Sequence, residues 1–476
     1  MSPIKKRLII VGGGISGLSV LHYLKVLAPD IDVRLFEAAS RLGGVIGSDI
    51  VDGYLCEWGP NGILDRHGAV REMCQQLGID HEIELADENA KNRFILRDGK
   101  LQAVPMSLSS FVSSKLLSAT AKFRLLREPF TCSSSEEDES IYRFAERHFG
   151  KEVADYLVQP MVTGIYGGDA ERLSLKSCFP LLHKLDSESG SLIRGMIIRK
   201  FRAKKQPLKD SKRQGSMRLL SLKPTGVNAL INALAKRYAD SIQTDKKMQS
   251  LKRIDDADGN GQLFELYFDD QTIVQADEVI LALPAFQAEK ILRPFSAPLS
   301  AILGKIPYAP IAVVCLGYPL AASPLSLEGF GFLVPPKEKK SILGAIWQSS
   351  IFSGRAPDGK FLLRVLLGGA GTPELAALSD EQMKKAVSNE LRDIMGIFEE
   401  PEMVRIYRWN KAIPQYSLGH DAILRDIEDT LSKIHGLHLT GNAYQGIGVS
   451  ECIINSERLA QKLINNSRMS LNLPYS

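Results

Sequence analysis

Three glycines at the spacing Gly12-x-Gly14-x-x-Gly17 are the residues of this chain with the most specific chemical use. They follow directly on Arg7-Leu-Ile-Ile-Val11, an apolar run that reads as a parallel strand buried on both faces. They precede Leu18 to Leu27, which is apolar with helical period. In that setting each glycine has its own task. Gly12 permits the tight turn, Gly14 lets backbone approach a pyrophosphate, and Gly17 lets helix pack on strand. Gly13, Ile15 and Ser16 lie where unpaired main-chain N–H groups and the positive helix end favour phosphate. A second strand, Val33 to Phe36, ends in Glu37, twenty residues past Gly17. A carboxylate there accepts hydrogen bonds from ribose hydroxyls and disfavours a 2′-phosphate. The chemistry is dinucleotide binding, with a bare glycine-rich turn as the alternative.

The residues that follow select the dinucleotide. Ser40-Arg41-Leu42-Gly43-Gly44 offers a cation, Arg41, able to reach phosphate, and a second glycine pair that lets main chain crowd the cofactor. A simple nicotinamide dehydrogenase has no use for that pair, whereas an extended FAD does. Near the C-terminus the pattern returns. Leu437 to Thr440 reads as a strand, Gly441 to Gly448 as a glycine-rich turn, and Glu451 to Ile464 as a helix. Its N-terminus suits the negative charge of a reduced flavin. Ala276 to Leu283 reads as a further strand of the same sheet, so the cofactor domain is discontinuous. Neither glycine loop holds a Cys or His placed for a covalent flavin link, so FAD is expected to be non-covalent and one per chain. No Ser/His/Asp or Cys/His set offers a nucleophile, which fits chemistry carried by a cofactor.

Length and composition set the frame for these motifs. A chain of 476 residues exceeds one ordinary core, and 44% hydrophobic with 24% charged residues is a globular composition. The formal net charge of +4 gives no global argument for nucleic acid. The six cysteines never fall in a CxxC spacing and read as reduced; His435 and His438 lack a third ligand, so no metal is expected. Glycines interrupt the apolar run after Lys5-Lys6-Arg7, and neither a signal nor a transit peptide is expected. The uncharged stretch Ile306 to Leu327 is broken by four prolines and reads as a buried strand, Ile311 to Leu316, not a membrane span.

The fold class is therefore α/β plus α+β: a Rossmann-like FAD-binding domain, a mostly antiparallel substrate domain and a helical insert. The expected boundaries are 1–90, 222–298 and 415–476 for the first; 91–107, 208–221 and 299–414 for the second; and 108–207 for the insert. The basic run Arg194 to Lys223 reads as a solvated hairpin or as a patch for anionic lipid. In the insert, Phe111, Leu116, Leu117, Phe123, Leu125 and Leu126 could form a peripheral membrane face or, alternatively, core.

Taken in order, several motifs resemble the oxygen-dependent protoporphyrinogen oxidase family, within the amine-oxidase-like flavoproteins. They are the glycine fingerprint, Glu37 to Gly44, Glu57-Trp-Gly59-Pro60-Asn61, Asn92-Arg93-Phe94, Thr163-Gly164-Ile-Tyr-Gly-Gly168-Asp169, Gly329-Phe330-Gly-Phe-Leu333-Val-Pro335 and Gly441 to Val449. The resemblance implies FAD contacts at Gly12 to Gly17, Glu37, Ala38, and the main chain of Gly44 and Val45. It puts Gly59, Pro60, Asn61 and Gly62 beside the flavin ring, Met248 against the adenine and Trp409 near the cofactor. Asn442, Ile447, Gly448 and Val449 would line the pyrimidine side.

For the substrate, the resemblance implies Arg93 pairing a propionate, Phe330, Leu333, Ile346 and Leu366 sandwiching a macrocycle, and the Gly164 carbonyl facing its nitrogens. A valine is usual at Met248, and Lys223-Pro-Thr-Gly226 is less glycine-rich than the family's run. The implied reaction is six-electron oxidation of protoporphyrinogen IX to protoporphyrin IX in heme biosynthesis, with molecular oxygen as acceptor and peroxide formed. Coproporphyrinogen III oxidation, an amine oxidase or carotenoid desaturase, and a non-catalytic FAD-bound scaffold stay open. The family reading adds peripheral contact with the inner face of a cell membrane, handover to the next heme-pathway enzyme, and a homodimer.

Overall fold

The computed structural model describes residues 6–134, 136–205, 216, 218–255 and 262–471. Lys209, Lys212 and Arg213 of the basic run lie outside the described residues.

Strands from distant parts of the chain build one parallel sheet. Its order is Ile242–Gln243, Asp32–Phe36, Arg7–Val11, Glu278–Leu281 and Leu437–Leu439. Burial on both faces explains the uninterrupted apolar run at its centre. Leu8 and Ile10 point to a core with the helices Ile15–Leu27, Asn228–Arg237 and Val449–Leu471. Ile9 and Val11 point the other way, onto the three-stranded sheet of Met248–Asp255, Gln262–Phe268 and Ile273–Ala276. The C-terminal helix begins at Val449, two residues before the sequence reading.

A second sheet of seven strands forms a wall. Its order is Met403–Pro414, Tyr308–Pro319, Lys360–Gly368, Gly344–Trp347, Gly331–Leu333, Arg93–Arg97 and Lys100–Ala103. All neighbours are antiparallel except Gly331–Leu333 with Arg93–Arg97, which run parallel. The strand expected at Ile311 to Leu316 extends over Tyr308–Pro319. Its prolines do not end it because Pro310 falls in a bulge between Ala309 and Ile311, and Pro319 closes the strand opposite Lys360. One face of the wall, with Phe332, Trp347, Leu363 and Val365, packs on the helix Asp380–Met395 through Met383, Val387 and Leu391. By register, the other face carries two rows. Arg93, Gly331, Ile346 and Arg364 form one; Ile95, Leu333, Gly344 and Leu366 form the other.

Between Lys100–Ala103 and Leu219 the described residues form helices and no strand longer than an isolated bridge. Leu219–Leu222, which the sequence reading grouped partly with the wall (208–221), pairs instead with Ile63–Leu64 and Ile83–Leu85 in a small sheet of its own.

Candidate active site

The two N-terminal glycine loops lie against each other. Gly43 N–H donates to the Gly13 carbonyl at 2.8 Å, and Gly14 bridges Gly43. Glu37 is fixed from both sides: Gly13 N–H donates to Oε2 at 2.6 Å and Ala39 N–H to Oε1 at 2.9 Å. The glycines divide their labour. A Cβ on Gly17 would stand 1.9 Å from the Gly12 carbonyl oxygen, so this glycine exists for helix–strand contact. A Cβ on Gly14 would meet nothing within 4 Å. What Gly14 keeps free is space for something other than this chain.

Arg41 turns toward its own loop. Its guanidinium turns back to the carbonyls of Leu42 at 3.0 Å, Ile46 at 3.1 Å and Gly44, and lies 4.2 Å over the Trp58 ring. Three carbonyls and an aromatic face hold the cation, so it braces the glycine loop and keeps two N–H donors for phosphate. Burial pushes its pKa down from the ordinary value. Trp58 also stacks on Tyr407, whose hydroxyl donates to Asp49 at 2.8 Å.

The loop from Trp58 to Gly62 is anchored by Glu57. This buried carboxylate accepts from Arg355 Nη1 at 2.7 Å, Ser48 Oγ at 2.5 Å and Val227 N–H at 3.1 Å. Gly226, at φ +70°, allows that approach: a Cβ there would stand 2.1 Å from Glu57 Oε1. The run Lys223-Pro-Thr-Gly226, less glycine-rich than the family's, therefore keeps the glycine that the anchor needs. Val45 is 42% exposed, and its carbonyl meets Gly59 so closely that a Cβ on Gly59 would lie 2.3 Å away. Pro60 is half-buried; Gly62 packs on Leu219.

At the C-terminal loop, Tyr416 donates to the Asn442 carbonyl at 2.6 Å, and Ser450 Oγ to the buried Asp65 at 3.0 Å. Ile447, Gly448 and Val449 are half-buried at the start of the long helix. Ser16 is joined to that helix by Ser456 Oγ donating to its carbonyl at 3.0 Å. Ala38 is exposed beside Glu37. Met248 packs with Phe36 and Phe268 in the core and is 4% exposed, so only its main chain remains for a nucleotide. Trp409 is half-buried opposite Ile311 on the inner face of the wall, and its indole N–H donates to the Trp58 carbonyl at 3.3 Å.

Leu333, Ile346 and Leu366 share the free face of the wall and are each half-buried. The sandwich expected from the sequence is corrected by this register, since side chains from one sheet face make one wall and not two jaws. The opposing surface includes the helix Gln159–Tyr166: a Cβ on Gly164 would come 2.9 Å from Leu333 Cδ2. Met161 and Ile165, 39% and 46% exposed, flank Gly164 on the same side of that helix. Phe330 is outside the strand and, like Ile346, packs on the buried cluster of Ala86, Ala90, Ile351 and Phe352. The Arg93 guanidinium lies 5.3 Å over the Phe330 ring and has no carboxylate partner among the described residues.

Sequence reading missed Met161, Ile165 and Arg364. The first two carry the helical i, i+4 signal of one face. The third stands out in Phe361-Leu-Leu-Arg364-Val-Leu-Leu367 as a lone cation in an apolar strand.

Several buried polar atoms near these loops have no partner: both amide atoms of Asn61, Trp58 Nε1, Arg364 Nε and the Tyr444 hydroxyl. Buried polar groups are normally satisfied, so this concentration is what a polar bound group would complete. An isoalloxazine edge presents both acceptors and a donor, and the Asn61 amide offers both complements. The residues fit a flavin.

The fold and this site define a flavin-dependent oxidoreductase. The chain belongs to the flavin containing amine oxidoreductase family, whose model matches residues 15–464. It is 30% identical over 469 residues to coproporphyrinogen III oxidase of Bacillus subtilis (strain 168), covering 95% of this chain and 97% of that one. It is 31% identical over 484 residues to protoporphyrinogen oxidase 2, chloroplastic/mitochondrial, of Arabidopsis thaliana, with 97% and 94% covered. A crystal structure of an Exiguobacterium sp. 255-15 protein superimposes with a TM-score of 0.79 at 26% identity, covering 97% of this chain and 99% of that one.

Proposed function

We propose that the chain oxidises a porphyrinogen, with one non-covalently bound FAD as electron acceptor and molecular oxygen restoring the cofactor. The observation that carries this reading is the wall. Leu333, Ile346 and Leu366 form an aliphatic face along which Arg93 stands as a free cation at one end. A porphyrinogen is a large apolar ring with carboxylate arms, and such a surface meets both properties. Bound flavin would supply the two-electron acceptor, used three times per substrate. The residues of the chain orient and exclude water: the wall covers one side of the ring, Arg93 holds an arm, and the Gly164 carbonyl offers an acceptor for a ring N–H. The start of Val449–Leu471 presents a helix N-terminus, which favours negative charge nearby. An amine oxidase would need an aromatic cage. Tyr407 on this face is instead stacked on Trp58, with its hydroxyl on Asp49.

Protoporphyrinogen is the proposed substrate, because in the row of Arg93, Gly331, Ile346 and Arg364, Arg93 is the exposed cation, which suits a dicarboxylate. The tetracarboxylate coproporphyrinogen is the second reading, favoured by the identity to the Bacillus subtilis relative. Anaerobic mixing of the flavin-loaded protein with each porphyrinogen separates them. Protoporphyrinogen is expected to bleach the flavin; bleaching by coproporphyrinogen alone moves the reading to the second, and bleaching by neither removes both.

We also propose peripheral binding to an anionic membrane. Of the sequence-selected residues, Leu116 and Leu117 are core, while Phe123 and Leu126 are 73% and 68% exposed. Phe130 and Phe201, 83% and 66% exposed, extend the apolar set, with Arg124, Arg127, Arg199 and Lys200 near them in sequence. Among the described residues no helix is long and apolar enough to cross a membrane. Co-sedimentation with phosphatidylglycerol vesicles is expected, weakened by salt and lost when Phe123, Phe130 and Phe201 are changed together to serine. Equal sedimentation of the triple variant, or none by the wild type, rejects the proposal.

A further inference from the structure

Arg364 lies on the free face of the wall, in register with Ile346 and two residues before Leu366. It is 4% exposed. Its Nη2 donates to the Gly59 carbonyl, and its Nε is buried without a partner. No carboxylate forms an ion pair with it among the described residues. Glu57, whose charge it feels, is already engaged by Arg355 at 2.7 Å. A guanidinium stays charged in a protein, and burying one without an anion is strongly unfavourable. An anion supplied from outside the chain would offset that cost.

The position of Arg364 limits what that anion can be. Its hydrogen-bond partner Gly59 packs on Val45, and a Cβ on Gly44 would lie 3.5 Å from the Gly14 Cα. This contact path runs from the dinucleotide loop to the wall, with the unpartnered Asn61 amide two residues beyond Gly59. Arg364 thus stands where the flavin cradle meets the wall. Arg93 occupies the exposed rim, where a carboxylate arm could keep part of its water; Arg364 offers no such escape.

We propose that Arg364 is the counter-charge of the reacting centre: its uncompensated cation favours the negatively charged reduced flavin and thereby raises the cofactor's affinity for electrons. Uptake of two electrons and one proton from the substrate leaves one negative charge on the cofactor, while the substrate's N–H proton leaves to solvent. The retained charge is what Arg364 pairs. The inference rests on the flavin reading of the cradle and not on which porphyrinogen is oxidised.

The test is an anaerobic reductive titration of the flavin-loaded protein against an indicator dye, with no porphyrinogen present, so it is independent of the bleaching experiment. Arg364→Met keeps the length without the charge; Arg364→Gln keeps a donor for Gly59. Each is expected to lower the equilibrium constant for two-electron reduction at least tenfold, a drop in midpoint potential of about 30 mV. Arg364→Lys should recover more than half of the change. An unchanged potential in a neutral variant overturns the proposal. So does loss of flavin from both neutral variants, which would make Arg364 a residue that retains the oxidised cofactor. In separate turnover measurements, a raised KM for protoporphyrinogen but not for its dimethyl ester, with the potential unmoved, would reassign the charge to a substrate carboxylate.

Discussion

A Gly14→Val variant is expected to fold and to purify without flavin. The backbone at Gly14 is extended (φ −72°, ψ 175°), a conformation that β-branched residues adopt readily. A Cβ there meets no atom of the chain within 4 Å, so the side chain displaces nothing of the protein. The structural cost is that of a poorer N-cap, about 1 kcal/mol at most. The isopropyl group instead fills the space that Gly14 and Gly44 keep clear, where backbone would have to approach a pyrophosphate. Flavin content should fall from one per chain to near zero. The melting temperature should match that of flavin-stripped wild type within a few degrees and not rise when FAD is added, because ligand stabilisation needs binding. Gly17→Val provides the contrast. Its Cβ would collide with the Gly12 carbonyl, and that variant should lose the fold as well as the cofactor. Full flavin content in Gly14→Val would sink the assignment of this loop.

The contrast between these two glycines marks how far the sequence can be read. Strand, turn and helix at the N-terminus are local, and the spacing alone separates a glycine for packing from a glycine for a ligand. Where function depends on a partner distant in sequence, the reading weakens. Arg41 beside a glycine pair reads as a phosphate ligand, and nothing local shows that Trp58, seventeen residues on, supplies the face it covers. Prolines at 310 and 319 read as strand breakers, yet a bulge and a strand end absorb them, and pairing on both sides decides the length. Leu116 and Phe123 carry the same helical apolar signal, but one is core and the other surface. Periodicity gives a face without saying what covers it. The wall residues were named by resemblance; only the register reveals that Leu333, Ile346 and Leu366 share one surface, with Arg364 among them.

Arg93→Ala is expected to raise KM for the porphyrinogen 10- to 100-fold, which corresponds to roughly 1.5–3 kcal/mol for a lost charge-assisted pair. Two features prepare Arg93 for a carboxylate. It has no acidic partner among the described residues, and its guanidinium carbon lies 5.3 Å over the Phe330 ring. That cation–π contact contributes about 0.5–1 kcal/mol at an exposed site, so the cation is oriented before substrate arrives. Arg93 opens the strand Arg93–Arg97 and is exposed, so truncation should leave flavin content and melting temperature close to wild type. The fall in kcat should be smaller than the rise in KM, because a propionate arm distant from the reacting carbon is held alike in ground and transition states. Arg93→Lys should recover part of the affinity, since an ammonium restores charge but not the two-pronged fork. The dimethyl ester is the matched control: it should bind wild type poorly and lose little more on mutation. Unchanged KM for both free acids in a normally folded, flavin-loaded Arg93→Ala protein would remove the carboxylate contact. Equal losses for ester and acid would show that Arg93 acts through Phe330 and the wall, and not through the charge of the substrate.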